Sequence, residues 1–207
     1  RTDDGYGFNH DITFSGSGEL DNGFSVSTTM ILTETAGLSS SNVALTMGGM
    51  GTITIGNGLA NVGGAFDDVT PRAYEENHDG MKTTTVIDSM GALSDGNSVM
   101  YSSPSFDLGG GSVSFMLGYT PEAGDAATAE GGVAAQSNTY GSSTTAGVNV
   151  AYAGLSAGAF AEEVKQDQSA TALTTKGNPM TATWYANYSF GPVSIGYQTG
   201  GLDYGLD

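Results

Sequence analysis

Apolar and polar residues alternate along much of this chain. The clearest run is 180–190, which reads M-T-A-T-W-Y-A-N-Y-S-F. Successive side chains of an extended strand point to opposite faces of a sheet, so this run predicts a strand with one apolar and one polar face. The same alternation recurs in 112–120 and 145–152. The apolar members of the first run are Met180, Ala182, Trp184, Ala186, Tyr188 and Phe190.

Seven further segments show the same tendency, which gives ten predicted strands in all. No window of comparable length has the three- and four-residue spacing of an amphipathic helix. The pattern therefore predicts an all-β fold of antiparallel strands. The additional strands are predicted at 8–17, 23–34, 42–48, 51–56, 97–105, 155–164 and 193–199.

Connections between the predicted strands alternate between short and long. A β-sandwich mixes its connection lengths, whereas an outer-membrane barrel has tight turns on one side and longer loops on the other. The order therefore predicts a transmembrane antiparallel up-and-down β-barrel. The short connections are 19–23, 48–50, 107–111, Gly154 and 191–192, and the long ones are 35–41, 57–96, 121–144 and 166–179.

Aromatic residues stand near the ends of the predicted strands. Phe24, Phe106 and Phe190 adjoin short connections, while Phe8 and Tyr119 lie near the opposite strand ends. Aromatic girdles at the two membrane interfaces have this arrangement. Aromatics that cap the strands of a soluble sandwich are the alternative interpretation.

Composition narrows the classes of function. The chain has 22 acidic and 5 basic residues and a formal net charge of −17. Nucleic-acid binding needs clustered basic residues, and the only arginines are Arg1 and Arg72. No stretch approaches the roughly 20 apolar residues of a membrane helix, but a membrane-spanning strand needs only about 9–11 residues. The absence of cysteine excludes disulfides and thiol catalysis.

A catalytic motif occurs at 154–158, which matches the G-x-S-x-G pattern. That pattern needs a following helix and a partner histidine. An alternating strand follows instead, and the only histidines are His10 and His78. Chance in a chain rich in Gly and Ser explains the match better, so we do not expect an enzyme.

Three segments resemble general bacterial porins. N-S-V-M-Y-S-S-P-S-F at 97–106, followed by S-V-S-F-M-L-G-Y at 112–119, is similar to the hairpin after the family's third loop. F-S-G-S-G-E-L-D-N-G-F at 14–24 resembles an early hairpin, and G-M-G-T-I-T-I-G-N-G at 49–58 resembles the strand that leads into the third loop. The Gly-rich, acidic character is closest to alphaproteobacterial porins.

The resemblance implies a barrel of about sixteen strands in the bacterial outer membrane. It implies a homotrimer in a lipid bilayer with lipopolysaccharide, which passes small hydrophilic solutes and cations by passive diffusion and needs no cofactor. Residues 1–207 would form one barrel domain that holds strands two to eleven, with 57–96 as the pore-constricting loop. Strand parity places both chain ends on the long-loop side, and no aromatic residue closes the chain, so an incomplete barrel is expected.

The predicted constriction loop is acidic, and porins commonly oppose such a loop with basic residues on the barrel wall. By resemblance, two wall positions that are often basic are occupied here by Met100 and Asn57. Unbalanced carboxylates in a narrow aqueous pore concentrate cations, so a cation-preferring pore is expected. The predicted constriction comprises Asp67, Asp68, Arg72, Glu75, Glu76, Asp79, Met100 and Asn57.

The same loop contains a candidate for weak calcium binding. Glu75, Asn77 and Asp79 are followed by Gly80, as at the opening of a calcium loop, but Val86 stands where the bidentate glutamate is expected. An EF-hand is therefore not predicted. Acidity, Gly content and the lack of Cys also fit a secreted calcium-dependent β-structural adhesin or surface-layer protein, which is the alternative function.

Overall fold

A computed structural model describes residues 11–33, 35, 37–57, 62–66, 69–71, 97–121, 140–166 and 177–203. These residues form one antiparallel sheet and two short 3-10 turns, Gly48–Met50 and Gly63–Ala65. Within these ranges, no helix is long and apolar enough to cross a membrane. The strands are β1 (Ile12–Glu19), β2 (Ser25–Leu32), β3 (Leu38–Thr46), β4 (Thr52–Asn57), β5 (Asn97–Ser102), β6 (Phe106–Asp107), β7 (Gly111–Thr120), β8 (Tyr140–Tyr152), β9 (Leu155–Gln166), β10 (Met180–Phe190) and β11 (Val193–Asp203).

The strand order confirms the predicted up-and-down topology. The sheet runs β1-β2-β3-β4-β5-β7-β8-β9-β10-β11, and the short strand β6 pairs with β7 beside β5. Each of the ten predicted strands is present. In the described part of the chain, β1 and β11 lie at the two ends of this path, so the sheet is an open segment of a barrel wall.

One face of the sheet is apolar. Ala159 pairs with both Val148 and Trp184, so the alternation places these side chains on one face. On the chain alone this face is open to solvent, since Leu117 is 55% and Ile195 is 63% exposed. The large exposed side chains of this apolar face are Ile12, Phe14, Met30, Val43, Ile55, Val99, Phe106, Phe115, Leu117, Tyr119, Tyr152, Leu155, Trp184, Tyr188, Phe190, Val193, Ile195 and Tyr197.

The opposite, polar face carries mainly hydroxyl and amide side chains. Thr145 pairs with Glu162, and Glu162 pairs with Thr181, which aligns one polar row across three strands. Hydroxyl and amide groups form hydrogen bonds with water, so such a face is suited to an aqueous surface. The polar face includes Thr13, Ser15, Ser17, Ser27, Thr29, Thr52, Thr54, Ser98, Ser114, Thr120, Ser143, Thr145, Asn149, Ser156, Thr181, Thr183, Asn187, Ser194 and Gln198.

Aromatic residues lie near strand ends on the apolar face, as predicted. Phe106 adjoins the turn between β6 and β7, and Phe190 ends β10. Tyr119 lies near the opposite end of β7. Phe24 directly precedes β2, and Phe8 lies outside the described residues.

The connection between β2 and β3 differs from the prediction. A long loop was expected at 35–41, but β3 begins at Leu38 and leaves only residues 33–37 between the strands. The Thr33 N–H donates to the Gly37 carbonyl at 2.9 Å and closes the connection. A register shift beside Ile31 lets the Ser-rich start of β3 join the sheet. The alternation of short and long connections is therefore not strict.

The strand predicted at 97–105 is also interrupted. β5 ends at Ser102, and Pro104, which has no N–H to donate, separates it from β6. The Ser103 hydroxyl accepts the Phe115 N–H at 2.8 Å and replaces a backbone acceptor. Elsewhere, β8 and β11 extend beyond the predicted 145–152 and 193–199, because cross-strand pairing continues where apolar alternation has stopped.

Candidate functional site

The candidate site is formed where part of the 57–96 connection lies on the polar face. Residues 62–66 and 69–71, called here the loop segment, are the described part of this connection. Val62 and Phe66 are each only 1% exposed, although they belong to a connection and not to a strand. Burial of this kind shows that the segment is packed against the wall.

Aromatic packing fixes the centre of the loop segment. The Phe66 ring stacks on Phe160 of β9 with centroids 5.8 Å apart and lies 6.2 Å from the Tyr185 ring of β10. Phe160 and Tyr185 are themselves buried and project from the polar face. Met100 packs against the edge of this cluster. The wall thus presents an apolar site for one loop residue within a face that is otherwise polar.

Glycines on the polar face give the loop segment room. A Cβ added to Gly147 of β8 would lie 2.6 Å from a Phe66 ring carbon. A Cβ added to Gly196 of β11 would lie 2.5 Å from Pro71 Cδ. These distances are below van der Waals contact, so only glycine at these positions lets the segment approach so closely.

Two amide side chains hold the far part of the segment. Gln198 of β11 donates from Nε2 to the Phe66 carbonyl at 2.6 Å and accepts the Val69 N–H at 3.3 Å on Oε1. Asn187 of β10 donates from Nδ2 to the Val69 carbonyl at 2.7 Å. We refer to Asn187 and Gln198 together as the amide clamp.

The contacts define the path of the loop segment across the wall. Val62 lies beside Gly118 of β7 and Gly147 of β8, whereas Val69 is bonded to β10 and β11. The loop segment therefore runs across the sheet from β7 and β8 to β10 and β11. It lies over the part of the polar face formed by β7 to β11.

The described charges of the polar face are carboxylates. Register places Glu19, Asp107 and Glu162 on this face. Lys165 has the opposite parity in β9 and belongs to the apolar side, near the end of the strand. Glu162 is 1% exposed and is flanked by hydroxyl-bearing neighbours on β8 and β10.

Comparison with known proteins agrees with this geometry. A family described as Gram-negative porin matches residues 1–207. The chain belongs to the Gram-negative porin family. Membership of this family indicates the outer membrane of a Gram-negative bacterium.

A solved porin structure, refined at 1.8 Å resolution, has the same fold as this chain, with a TM-score of 0.54 and 15% sequence identity. The match covers 92% of this chain and 59% of the solved porin, so this chain spans less than two thirds of that protein. A search of curated protein sequences found no match.

The two wall positions predicted to border the constriction lie on different faces. Met100 pairs with Gly118 on the polar face and is half-buried beside the Phe66 cluster. Asn57 pairs with Asn97 at the end of β4 and has the parity of Ile55, on the apolar face. The structure therefore brings Met100 to the loop segment, and Asn57 ends β4 directly before the connection.

The remaining predicted site residues lie outside the described residues, as does most of the loop. Among the residues that the structure describes, no group of three or more acidic or histidine side chains could hold a metal ion. The charged constriction and weak calcium binding therefore remain predictions. The residues concerned are Asp67, Asp68, Arg72, Glu75, Glu76, Asn77 and Asp79.

Sequence reasoning missed the apolar anchor on the wall. Phe160 and Tyr185 occupy positions that the alternation assigns to the polar face. An aromatic residue at a polar position was the available signal, since it needs a covering partner. Nothing in the sequence showed that Phe66 is that partner.

Proposed function

We propose that this chain forms part of the wall of a water-filled outer-membrane channel that passes ions and small hydrophilic solutes by passive diffusion, with a preference for cations. The observation that carries the proposal is the contrast between the two faces of one sheet. The apolar face is exposed along its whole width, and the polar face receives the loop segment. A wall between lipid and water requires this arrangement.

Charge supports the cation preference. Across the sequence, 22 acidic residues face 5 basic ones. In the described ranges, the strands contribute carboxylates and no basic side chain to the polar face. Fixed negative charge in a narrow aqueous passage attracts cations and excludes anions. Assembly as a homotrimer in a membrane that contains lipopolysaccharide is part of the same proposal, on the basis of the porin resemblance.

Reversal potentials across a planar bilayer test the selectivity. In a KCl gradient we expect the intact protein to favour potassium, and the double substitution Asp67→Asn and Asp68→Asn to reduce the permeability ratio. A carboxylate 4 Å from a permeating ion in water contributes about 1 kcal/mol, which changes the cation-to-anion permeability ratio about fivefold. The gradient should use dilute salt, because screening shortens this interaction to about 10 Å at 0.1 M.

The matched control is Asp21→Asn, which removes one carboxylate from the exposed turn between β1 and β2. We expect this variant to keep the selectivity of the unmodified protein. A wild-type preference for chloride would contradict the cation preference. A purified, folded protein that gives no conductance at all would contradict the channel itself.

A further inference from the structure

One wall side chain binds the loop segment at two described residues. Gln198 donates to the Phe66 carbonyl at 2.6 Å and accepts the Val69 N–H at 3.3 Å. A primary amide offers both a donor and an acceptor, so it can satisfy two backbone groups of opposite kind. Backbone groups that lose contact with water need such partners. Gln198 therefore ties Phe66 and Val69 to the same point on β11.

Asn187 completes the attachment from the neighbouring strand. Its Nδ2 donates to the Val69 carbonyl at 2.7 Å, so both backbone polar groups of Val69 are bound by wall side chains. The Asn187 Oδ1 atom is buried and has no hydrogen-bond partner among the residues that the structure describes. An unpartnered buried acceptor is unfavourable, because it has lost its hydrogen bonds with water. If the side chain at position 187 only filled space, an apolar residue would avoid that cost. The hydrogen bond to the Val69 carbonyl therefore explains why position 187 is an asparagine.

The attachment is neutral. Its polar contacts join amide groups to backbone groups. Its apolar contacts are made by Val62 and by the Phe66 ring, which packs on Phe160 and Tyr185. Salt screens attraction between charges but has little effect on neutral hydrogen bonds and aromatic packing. The loop segment should therefore keep its position across a wide range of ionic strength.

We infer that Asn187 and Gln198 are positioning residues that hold the loop segment against β10 and β11 and thereby set the width of the passage. The inference rests on the proposed function, because width matters only in a channel. Neither side chain needs to touch a permeating solute. Release of the clamp frees the far end of the segment from the wall, while Phe66 still anchors its centre.

The double substitution Asn187→Ala and Gln198→Ala tests the clamp in the intact protein. We expect hydrogen exchange at the Val69 amide to accelerate about tenfold or more, which corresponds to the loss of one or two net hydrogen bonds. We also expect a changed size cut-off for neutral sugars and polyethylene glycols in liposome-swelling assays. Ser194→Ala is the control, since Ser194 lies on the same face of β11 and bonds Ser189 instead of the loop segment.

The two readouts separate failure of the inference from failure of the proposed function. Unchanged exchange at Val69 would overturn the clamp, and faster exchange with an unchanged size cut-off would overturn its control of width. A protein that conducts nothing would contradict the proposed function, yet exchange at Val69 would still report on the clamp. If the double variant does not assemble, Gln198→Ala alone carries the same measurements, because Gln198 accepts the Val69 N–H.

Gln198→Glu adds a readout that a purely structural role would not produce. Ionised Glu can accept the Val69 N–H but repels the Phe66 carbonyl, whereas protonated Glu can donate to it. A free glutamate titrates at about pH 4.3. We expect the size cut-off of the variant to shift towards that of the double variant at pH 7 and to match that of the unmodified protein below pH 4, while the Val69 amide stays protected at both pH values.

Tyr185 of β10 pairs with Gln198, and Glu162 of β9 lies farther along the same polar face. Asp67 and Asp68 are adjacent in sequence to the loop segment. The unmodified protein, measured at the same pH values, accounts for their titration. A Gln198→Glu profile parallel to that of the unmodified protein would overturn the role of Gln198.

Discussion

Phe160 and Tyr185 show how single residues couple the wall to the loop. Both break the polar pattern of their strand face, and both are buried because Phe66 packs between them. Aromatic pairs of this kind contribute about 0.5–1.5 kcal/mol beyond the burial of their area. Gly147 lies against the Phe66 ring, so a larger residue there would have to displace the ring. The packing of Phe66 therefore depends on the large side chains of Phe160 and Tyr185 and on the lack of a side chain at Gly147.

Gly147→Val should displace Phe66 from the wall. The added Cβ would lie 2.6 Å from the ring, and overpacking of this kind costs about 1–3 kcal/mol. We expect a lower free energy of unfolding and a changed size cut-off for neutral solutes. Gly18→Ala is the control, because an added Cβ in that strand meets nothing within 4 Å. Equal unfolding free energies for the two variants would contradict this account of the site.

At the scale of elements, tight hairpins set the register of the sheet. Ala153 and Gly154 form the two-residue connection between β8 and β9, with φ of 46° and 87°. Positive φ at both positions is typical of the type I′ turn, whose twist matches that of paired strands. The Gly154 carbonyl also accepts the Ser189 N–H of β10 at 2.9 Å. This turn therefore joins three strands.

Gly154→Ala should weaken that junction. A side chain at positive φ costs about 1–3 kcal/mol, and the new Cβ would lie 2.5 Å from the Ser189 carbonyl oxygen. We expect a lower midpoint of urea unfolding in lipid vesicles. Gly49→Ala in the turn between β3 and β4 should change the midpoint little, since a Cβ there meets nothing within 4 Å. An unchanged midpoint for Gly154→Ala would show that the turn is not strained by a side chain.

At the scale of the whole molecule, the exposed apolar face favours a lipid environment over water. The described residues form a single sheet, and no second layer among them covers this face. In water, so wide an exposed apolar surface would favour association. Against lipid chains, the same surface is in its preferred solvent, and the paired strands satisfy their backbone groups internally.

Leu117→Lys distinguishes lipid from water at this face. Lysine near the middle of a lipid-facing strand costs about 2–4 kcal/mol, whereas an exposed substitution in water changes stability by about 0.5 kcal/mol or less. We expect Leu117→Lys to lower the folded fraction in bilayers, measured as the heat-modifiable band on gel electrophoresis. Ser114→Lys, on the polar face of the same strand, should be tolerated better. An unchanged folded fraction for Leu117→Lys, together with release of the protein from cells by a chelator alone, would favour the calcium-dependent surface protein.

The sequence by itself determined the strands, their antiparallel order and the two-faced character of the sheet, because alternation and turn residues are local properties. It missed the true start of β3 at Leu38 and the break at Pro104, where cross-strand partners and not apolar alternation decide the pairing. The acidity of the 57–96 connection was also evident from composition alone. The wall residues that contact this connection were not evident.

Only the tertiary structure decided which wall positions meet the loop. Gly147, Asn187 and Gln198 are ordinary members of a polar strand face in the sequence, and they become a site because Phe66 and Val69 approach them. Val69 and Gln198 are separated by 129 residues, and no local pattern encodes a contact of that range. The polar face was predictable because apolar and polar residues alternate along each strand. The packing of the loop segment on that face depends on contacts between residues far apart in the sequence.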